Sequence, residues 1–188
     1  MADTGFVRFT SVTDTNGIWD DESNLTAGNT GNCTTTTNSN TYELVLSGLS
    51  LGIPAGSTIN GIEYQFRADH DGGIGFEKYK TLVRHNLNNS NSTQFTLAGA
   101  SSLFSDGGST DLLGLTVTDS NINNLELVFS VSQNPVNATF NLAGNTSDPS
   151  PAIKVYYTEP TPTPTPTGTG LSITSGKLSI ISGKLSIL

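Results

Sequence analysis

Between Thr58 and Arg67 the chain reads Thr-Ile-Asn-Gly-Ile-Glu-Tyr-Gln-Phe-Arg, so Ile62, Tyr64 and Phe66 point one way and Glu63, Gln65 and Arg67 the other. A side-chain period of two belongs to an extended strand with one face in a core and the other in water. Related patterns recur at Phe6–Phe9, Gly17–Asp20, Thr41–Leu46, Phe76–Leu87, Thr93–Leu97, Leu112–Val117, Leu125–Val131, Ala138–Leu142 and Ile153–Tyr157. Gly, Pro, Asn and Asp separate these runs and punctuate them as turns. Residues 23–40 are nearly all small and polar and read as a long loop with room for one edge strand. Asp119–Asn124 has room for a single helical turn, and no window shows an apolar stripe of period 3.6. Many short strands in one domain predict an all-β fold, an antiparallel β-sandwich of jelly-roll-like type over residues 1–158.

Charge and composition narrow the function classes. Hydrophobic residues make up 34% and charged residues 13% of the chain. Asn, Thr, Ser and Gly take up the difference, which suits the polar strand faces of extracellular β-proteins better than long Glu/Lys-rich helices. The formal net charge is -8, and residues 1–158 alone carry 15 acids against 6 bases. An acidic body disfavours nucleic acid, because phosphate contacts need clustered Lys and Arg. No run approaches the ~20 apolar residues of a membrane span, so no membrane partner is expected. The opening residues lack the charged and apolar regions of a secretory signal. Cys33 stands alone, which excludes an intrachain disulfide framework.

After Thr158 the character changes. Glu159–Thr167 places Pro at every second position and must be extended chain, followed by a Gly168-Thr-Gly170 hinge. At ~3.1 Å per residue this tether spans roughly 28 Å. Beyond it a seven-residue unit repeats: Leu171-Ser-Ile-Thr-Ser-Gly-Lys177, then Leu178-Ser-Ile-Ile-Ser-Gly-Lys184, then Leu185-Ser-Ile-Leu188. A glycine in each repeat costs a helix about 1 kcal/mol, so a short coiled coil is disfavoured. Short β-segments turning at each Ser-Gly are expected instead. Residues 159–170 therefore read as a linker and residues 171–188 as a tail for oligomerisation or attachment. Leu171, Ile173, Leu178, Ile180, Ile181, Leu185, Ile187 and Leu188 are the apolar residues that would find shelter in other copies of the chain, as in a trimeric stem, or at the edge of a partner sheet.

Several segments together resemble a β-sandwich domain recurrent in structural proteins of tailed bacteriophages. They are Gly17-Ile-Trp-Asp20, Leu44-Val-Leu-Ser-Gly-Leu-Ser-Leu-Gly-Ile-Pro54, Gly56-Ser-Thr-Ile-Asn-Gly-Ile62, Leu115-Thr-Val-Thr-Asp-Ser-Asn-Ile-Asn-Asn124 and Ile153-Lys-Val-Tyr-Tyr-Thr158. The resemblance implies a virion or appendage scaffold and carries over no catalytic residue. The polar stretch 23–40 and everything after Thr158 depart from it.

Motifs that could carry chemistry are sparse. Asp69-His-Asp71 before Gly72-Gly73 offers oxygen ligands for Ca²⁺, with Asp20-Asp-Glu22 as a second carboxylate cluster. The same residues suit a solvated Asp-Gly turn, the preferred reading. Asp69 and Asp71 thus stand as the metal candidates, and no other cofactor is expected. His70 and His85 are the only histidines, and no nucleophile elbow accompanies them, so no enzyme is expected. Trp19 is the candidate for glycan contact, although large aromatics more often fill a core.

The leading expectation is a non-enzymatic structural protein of a virion surface: a capsid decoration or a head or tail fibre component, bound to a major capsid or tail protein. Two alternatives stand beside it. One is a carbohydrate-binding module for host or surface glycan; the other is a subunit of an extracellular filament assembled by strand exchange.

Overall fold

The computed structural model describes residues 1–37, 41–74, 77–86, 88–134, 138–162, 171–174 and 177–180. Its strands are β1 (Ala2–Asp3), β2 (Val7–Arg8), β3 (Ser11–Asp14), β4 (Gly31–Thr35), β5 (Leu44–Ser47), β6 (Thr58–Asp71), β7 (Lys78–His85), β8 (Asn88–Asn89), β9 (Thr93–Thr96), β10 (Ser102–Gly108), β11 (Leu125–Gln133), β12 (Thr139–Gly144), β13 (Ala152–Thr158), β14 (Leu171–Thr174) and β15 (Lys177–Ile180). Two short 3-10 turns lie at Glu22–Leu25 and Ile122–Asn124.

Strands β1–β13 form two antiparallel sheets, and the fold is the expected jelly-roll-like β-sandwich. The first sheet is built on β6. On one side β6 pairs with β10; on the other it pairs with β13 through Thr58–Gln65 and with β12 through Arg67–Asp71. β4 extends the sheet beyond β12, and β1 and β2 extend it beyond β13. The second sheet runs β3-β5-β11-β7, with the short β8 and β9 both on the outer side of β7.

Alternation fixes the faces. Ile62, Tyr64 and Phe66 of β6 face inward, opposite Leu125, Leu127, Phe129 and Val131 of β11 and Tyr79 and Val83 of β7. Phe66 sits at the hub, with ring centroids 5.1 Å from Phe95, 5.2 Å from Phe104 and 5.1 Å from Phe129. Cross-sheet contacts set direction. Tyr64 meets Thr81 while Phe66 meets Tyr79, so the start of β6 lies at the same pole as the end of β7.

Several expectations are corrected. Gly17–Asp20 forms no strand; only Asp20 bridges Thr34. Leu112–Val117 is not a strand either. Leu113 at φ 55 and Gly114 at φ 75 are left-handed and break any extended run, while Leu115 plugs into the core. The turn expected at Asp69–Gly73 is displaced, because β6 continues through Asp71. β3 and β10 were not anticipated, whereas the edge strand in the polar stretch (β4) and the helical turn at Ile122–Asn124 were.

In the tail β14 and β15 pair as an antiparallel hairpin, with Leu171 opposite Ile180 and Ile173 opposite Leu178. That agrees with the short β-segments expected there; Ser175 and Gly176, where the turn was expected, lie outside the described residues. Ile181, Leu185, Ile187 and Leu188, and residues 163–170 of the linker, lie outside the described residues. The first tether proline, Pro160, rests beside the turn at Gly56, where an added Cβ would lie 3.5 Å from the Pro160 ring.

Candidate ligand-binding cleft

β9 and β10 face one another along a lateral seam of the sandwich, and their inward positions decide what happens there. Phe95 and Phe104 close the seam with centroids 5.4 Å apart. Two positions along each strand, toward the pole where β6 begins, the inward residues become Thr93 and Asp106. The Thr93 hydroxyl donates to Asp106 Oδ2 at 2.5 Å, and the Tyr64 hydroxyl donates to the same oxygen at 3.2 Å. Tyr64 and Thr81 hydroxyls are 2.7 Å apart. Burial pushes the Tyr64 phenol up, so it stays protonated and can donate. This chain of hydroxyls fixes the Asp106 carboxylate as a floor where the seam opens.

Above that floor are two adjoining lobes that share Gly114. One, of about 230 Å³, is lined by Asn91, Thr93, Asp106, Asp111, Leu113 and Gly114. The other, of about 350 Å³, is lined by His85, Asn88, Asn89, Gly114, Leu115 and Thr116. The walls are well braced. Asp111 Oδ1 accepts the Leu113 N–H at 2.7 Å, and the Asp111 carbonyl accepts the Ile62 N–H at 2.8 Å. Asn86, at φ 48, makes the tight turn that returns Asn88 opposite His85; Asn tolerates that left-handed conformation better than most residues. A Cβ at Gly114 would meet nothing within 4 Å, so the junction of the lobes is open space.

The polar lining is amides, hydroxyls, two carboxylates and the His85 imidazole, beside Leu113, Gly114 and Leu115, with no Lys, Arg, Phe, Tyr or Trp among the described lining residues. His85 is 4% exposed and its Nε2 is buried without a hydrogen-bond partner. A buried polar atom left unpaired costs about 1–3 kcal/mol, so a partner that reached this one would be stabilising.

The residues singled out in the sequence lie elsewhere. Trp19 is 4% exposed and stacks on Tyr79 at 6.0 Å, so it fills the core and presents no ring to a glycan. Asp69 and Asp71 sit on the outer face of β6, where the Asn141 amide donates to both, at 2.5 Å and 3.1 Å. Among the described residues no group of three or more His, Cys, Asp or Glu side chains could hold a metal ion. His70 is buried far from the cleft beside the fully buried Glu77, Nε2 to carboxylate 3.5 Å. Burial pushes the Cys33 thiol up and keeps it unreactive.

No protein-family model matches the chain, and no curated protein matches it. Solved structures with a similar course include the CBM22-1 xylan-binding domain of Paenibacillus barcinonensis Xyn10C, at 11% identity over 85% of this chain and 95% of that one, TM-score 0.45. A CBM4 domain is 12% identical over 75% of this chain and 91% of that one, TM-score 0.40. The N-terminal cellulose-binding domain of Cellulomonas fimi β-1,4-glucanase C is 12% identical over 84% and 90%, TM-score 0.38. At these scores the likeness transfers no residue role.

Sequence reasoning gave no residue of the cleft a binding role: Thr93 and residues 113–116 were read as strand, and His85 was weighed only as a catalytic base. A signal was present: Asn86-Leu-Asn-Asn-Ser-Asn-Ser-Thr93 crowds amides directly after a histidine. It read as one more polar turn in a chain full of them.

Proposed function

We propose that the body is a non-catalytic carbohydrate-binding module whose ligand sits in the seam cleft. The observation that carries this reading is the lining itself. Side-chain amides, hydroxyls and carboxylates interleave donors and acceptors at short range, which matches the alternating hydroxyls of a sugar ring. With no Phe, Tyr or Trp in the described lining, recognition rests on hydrogen bonds instead of stacking. The test is a glycan array probed with the native chain, followed by calorimetry on hits. Asn91→Ala and Asn89→Ala are exposed substitutions and are expected to weaken binding about tenfold or more without moving the melting temperature, as loss of one or two well-made hydrogen bonds would. A native chain that retains no glycan on the array refutes the reading.

A second reading concerns attachment, and the β14–β15 hairpin favours it. The register pairs Leu171 with Ile180 and Ile173 with Leu178 in a two-stranded piece too small to be stable alone. We propose that the tail fixes the body to other copies or to a partner sheet, a particle surface being one such setting. Deleting residues 159–188 should leave the body folded and monomeric in solution scattering. If the intact chain is equally monomeric and binds no partner sheet, this reading is wrong.

A further inference from the structure

We infer that His85 is the anchoring and specificity-determining residue of the cleft, and that its ligand is an uncharged sugar with anionic sugars turned away. This rests on reading the cleft as a sugar site.

Buried polar atoms without partners occur at several places among the described residues, but His85 Nε2 is the one that belongs to a residue lining either lobe. None of the others belongs to a residue that lines either lobe. At the His70 ring a Cβ added at Gly73 would come within 2.4 Å of Nδ1. There is no room there for a ligand, whereas His85 lies next to the open junction at Gly114. His85 is the last residue of β7, and its backbone is paired on both sides, to Leu125 of β11 and to Asn88 of β8. The strand position that carries the imidazole is therefore set before any ligand arrives. A sugar hydroxyl is the fitting partner, because it can donate to an unprotonated nitrogen or accept from a protonated one.

Charge decides which sugar. Asp106 and Asp111 both line the cleft, and no Lys or Arg among the described lining residues offsets them. The nearest basic side chain of β7, Arg84, is committed to Glu43 at 2.5 Å, with Glu126 at 3.7 Å and Asn89 Oδ1 at 3.1 Å. A uronate or sulfate would enter a site with two carboxylates on a body of net negative charge, and like charges so placed repel.

The experiment uses the full chain and a neutral oligosaccharide taken from array hits, beside its uronic-acid counterpart. Calorimetry compares the native chain with His85→Phe and His85→Gln. The neutral sugar should bind at least tenfold more weakly to His85→Phe and within about threefold of native to His85→Gln, whose amide can replace the imidazole contact. The uronate should bind at least tenfold more weakly than the neutral sugar to the native chain. Because a buried substitution can disturb folding, ¹⁵N spectra of the native imidazoles give an independent readout. The His85 signals should shift on adding sugar while those of His70 stay fixed. Neutral-sugar binding with an unmoved His85 signal, or full affinity in His85→Phe, overturns the anchoring role while the sugar reading stands. Equal affinity for the uronate overturns the charge selection. A native chain that binds no glycan removes both this inference and the function on which it rests.

Discussion

The two halves of the lateral seam differ in side chains and hardly at all in backbone. Along β9 and β10 the inward positions alternate without a break, Phe95 then Thr93 on one strand, Phe104 then Asp106 on the other. In the first half Phe95 and Phe104 pack against Phe66 and the sheets close over a dry core. In the second half a hydroxyl and a carboxylate hold each other at 2.5 Å, and the sheets stand apart over two lobes. A binding cleft in this sandwich therefore needs no long insertion. It begins where inward positions of two facing edge strands switch from apolar to polar.

Breaking the aromatic half should have the largest effect. Phe66→Ala removes the ring that touches Tyr79, Phe95, Phe104 and Phe129. Truncation of a buried aromatic costs about 3–5 kcal/mol, so urea denaturation should show most of the stability lost. A change below about 1 kcal/mol would mean that the seam is not held by this cluster.

Asp106→Leu tests the other half by making it resemble the first. Thr93 and Tyr64 each lose an acceptor, although the Tyr64 hydroxyl keeps Thr81. The expected loss is about 1–3 kcal/mol, with glycan binding abolished. If binding survives with the apolar side chain in place, the carboxylate is not the floor of the site.

How much of this was legible in the sequence follows from the same contrast. β6, β7, β11 and β13 announce themselves because their inward residues are apolar and the period of two is easy to see. β10 escapes notice: Ser102-Leu-Phe-Ser-Asp-Gly-Gly108 places Phe104 inward and Leu103 outward, then Asp106 inward, so hydrophobicity no longer reports the face. The strand that builds the cleft is hidden by the substitution that makes the cleft. Leu112–Val117 misleads in the opposite sense, since its leucines are plugs on a left-handed turn and not a strand face. Trp19 was the candidate for glycan contact with core filling weighed above it, and its stacking on Tyr79, which no sequence shows, is what buries it.

A smaller effect is expected at that stacked pair. The Tyr79 hydroxyl is buried with no hydrogen-bond partner, and burial pushes its pKa up, so it stays neutral and unpaid for. Tyr79→Phe should raise stability by about 1 kcal/mol while leaving the ring contacts in place. A loss of stability instead would mean that an ordered water serves the hydroxyl and that this half of the seam is not dry.

The smallest predicted effect contrasts the seam carboxylate with one at the opposite edge of the second sheet, on β3. Asp106 is held by side-chain hydroxyls, whereas Asp14, near Trp19, is held by backbone: its Oδ2 accepts the Trp19 N–H at 2.8 Å and its Oδ1 the Asn16 N–H at 3.0 Å. Burial pulls the Asp14 carboxyl up, but the N–H groups of Trp19, Asn16, Ile18 and Gly17 together outweigh it and hold the pKa below the usual value. A carboxyl depressed on folding adds stability above its unfolded pKa, and that increment fades as pH falls through the folded pKa. Because the group is partly exposed, solvent limits the increment to below about 1 kcal/mol. Urea midpoints measured from pH 6 down through the acid range (roughly pH 5 to 2, spanning the ordinary carboxyl value) should therefore fall slightly faster for the native chain than for Asp14→Asn, the two converging at the acid end. Parallel curves would show that the loop carrying Trp19 is held by packing alone, with no help from its carboxylate.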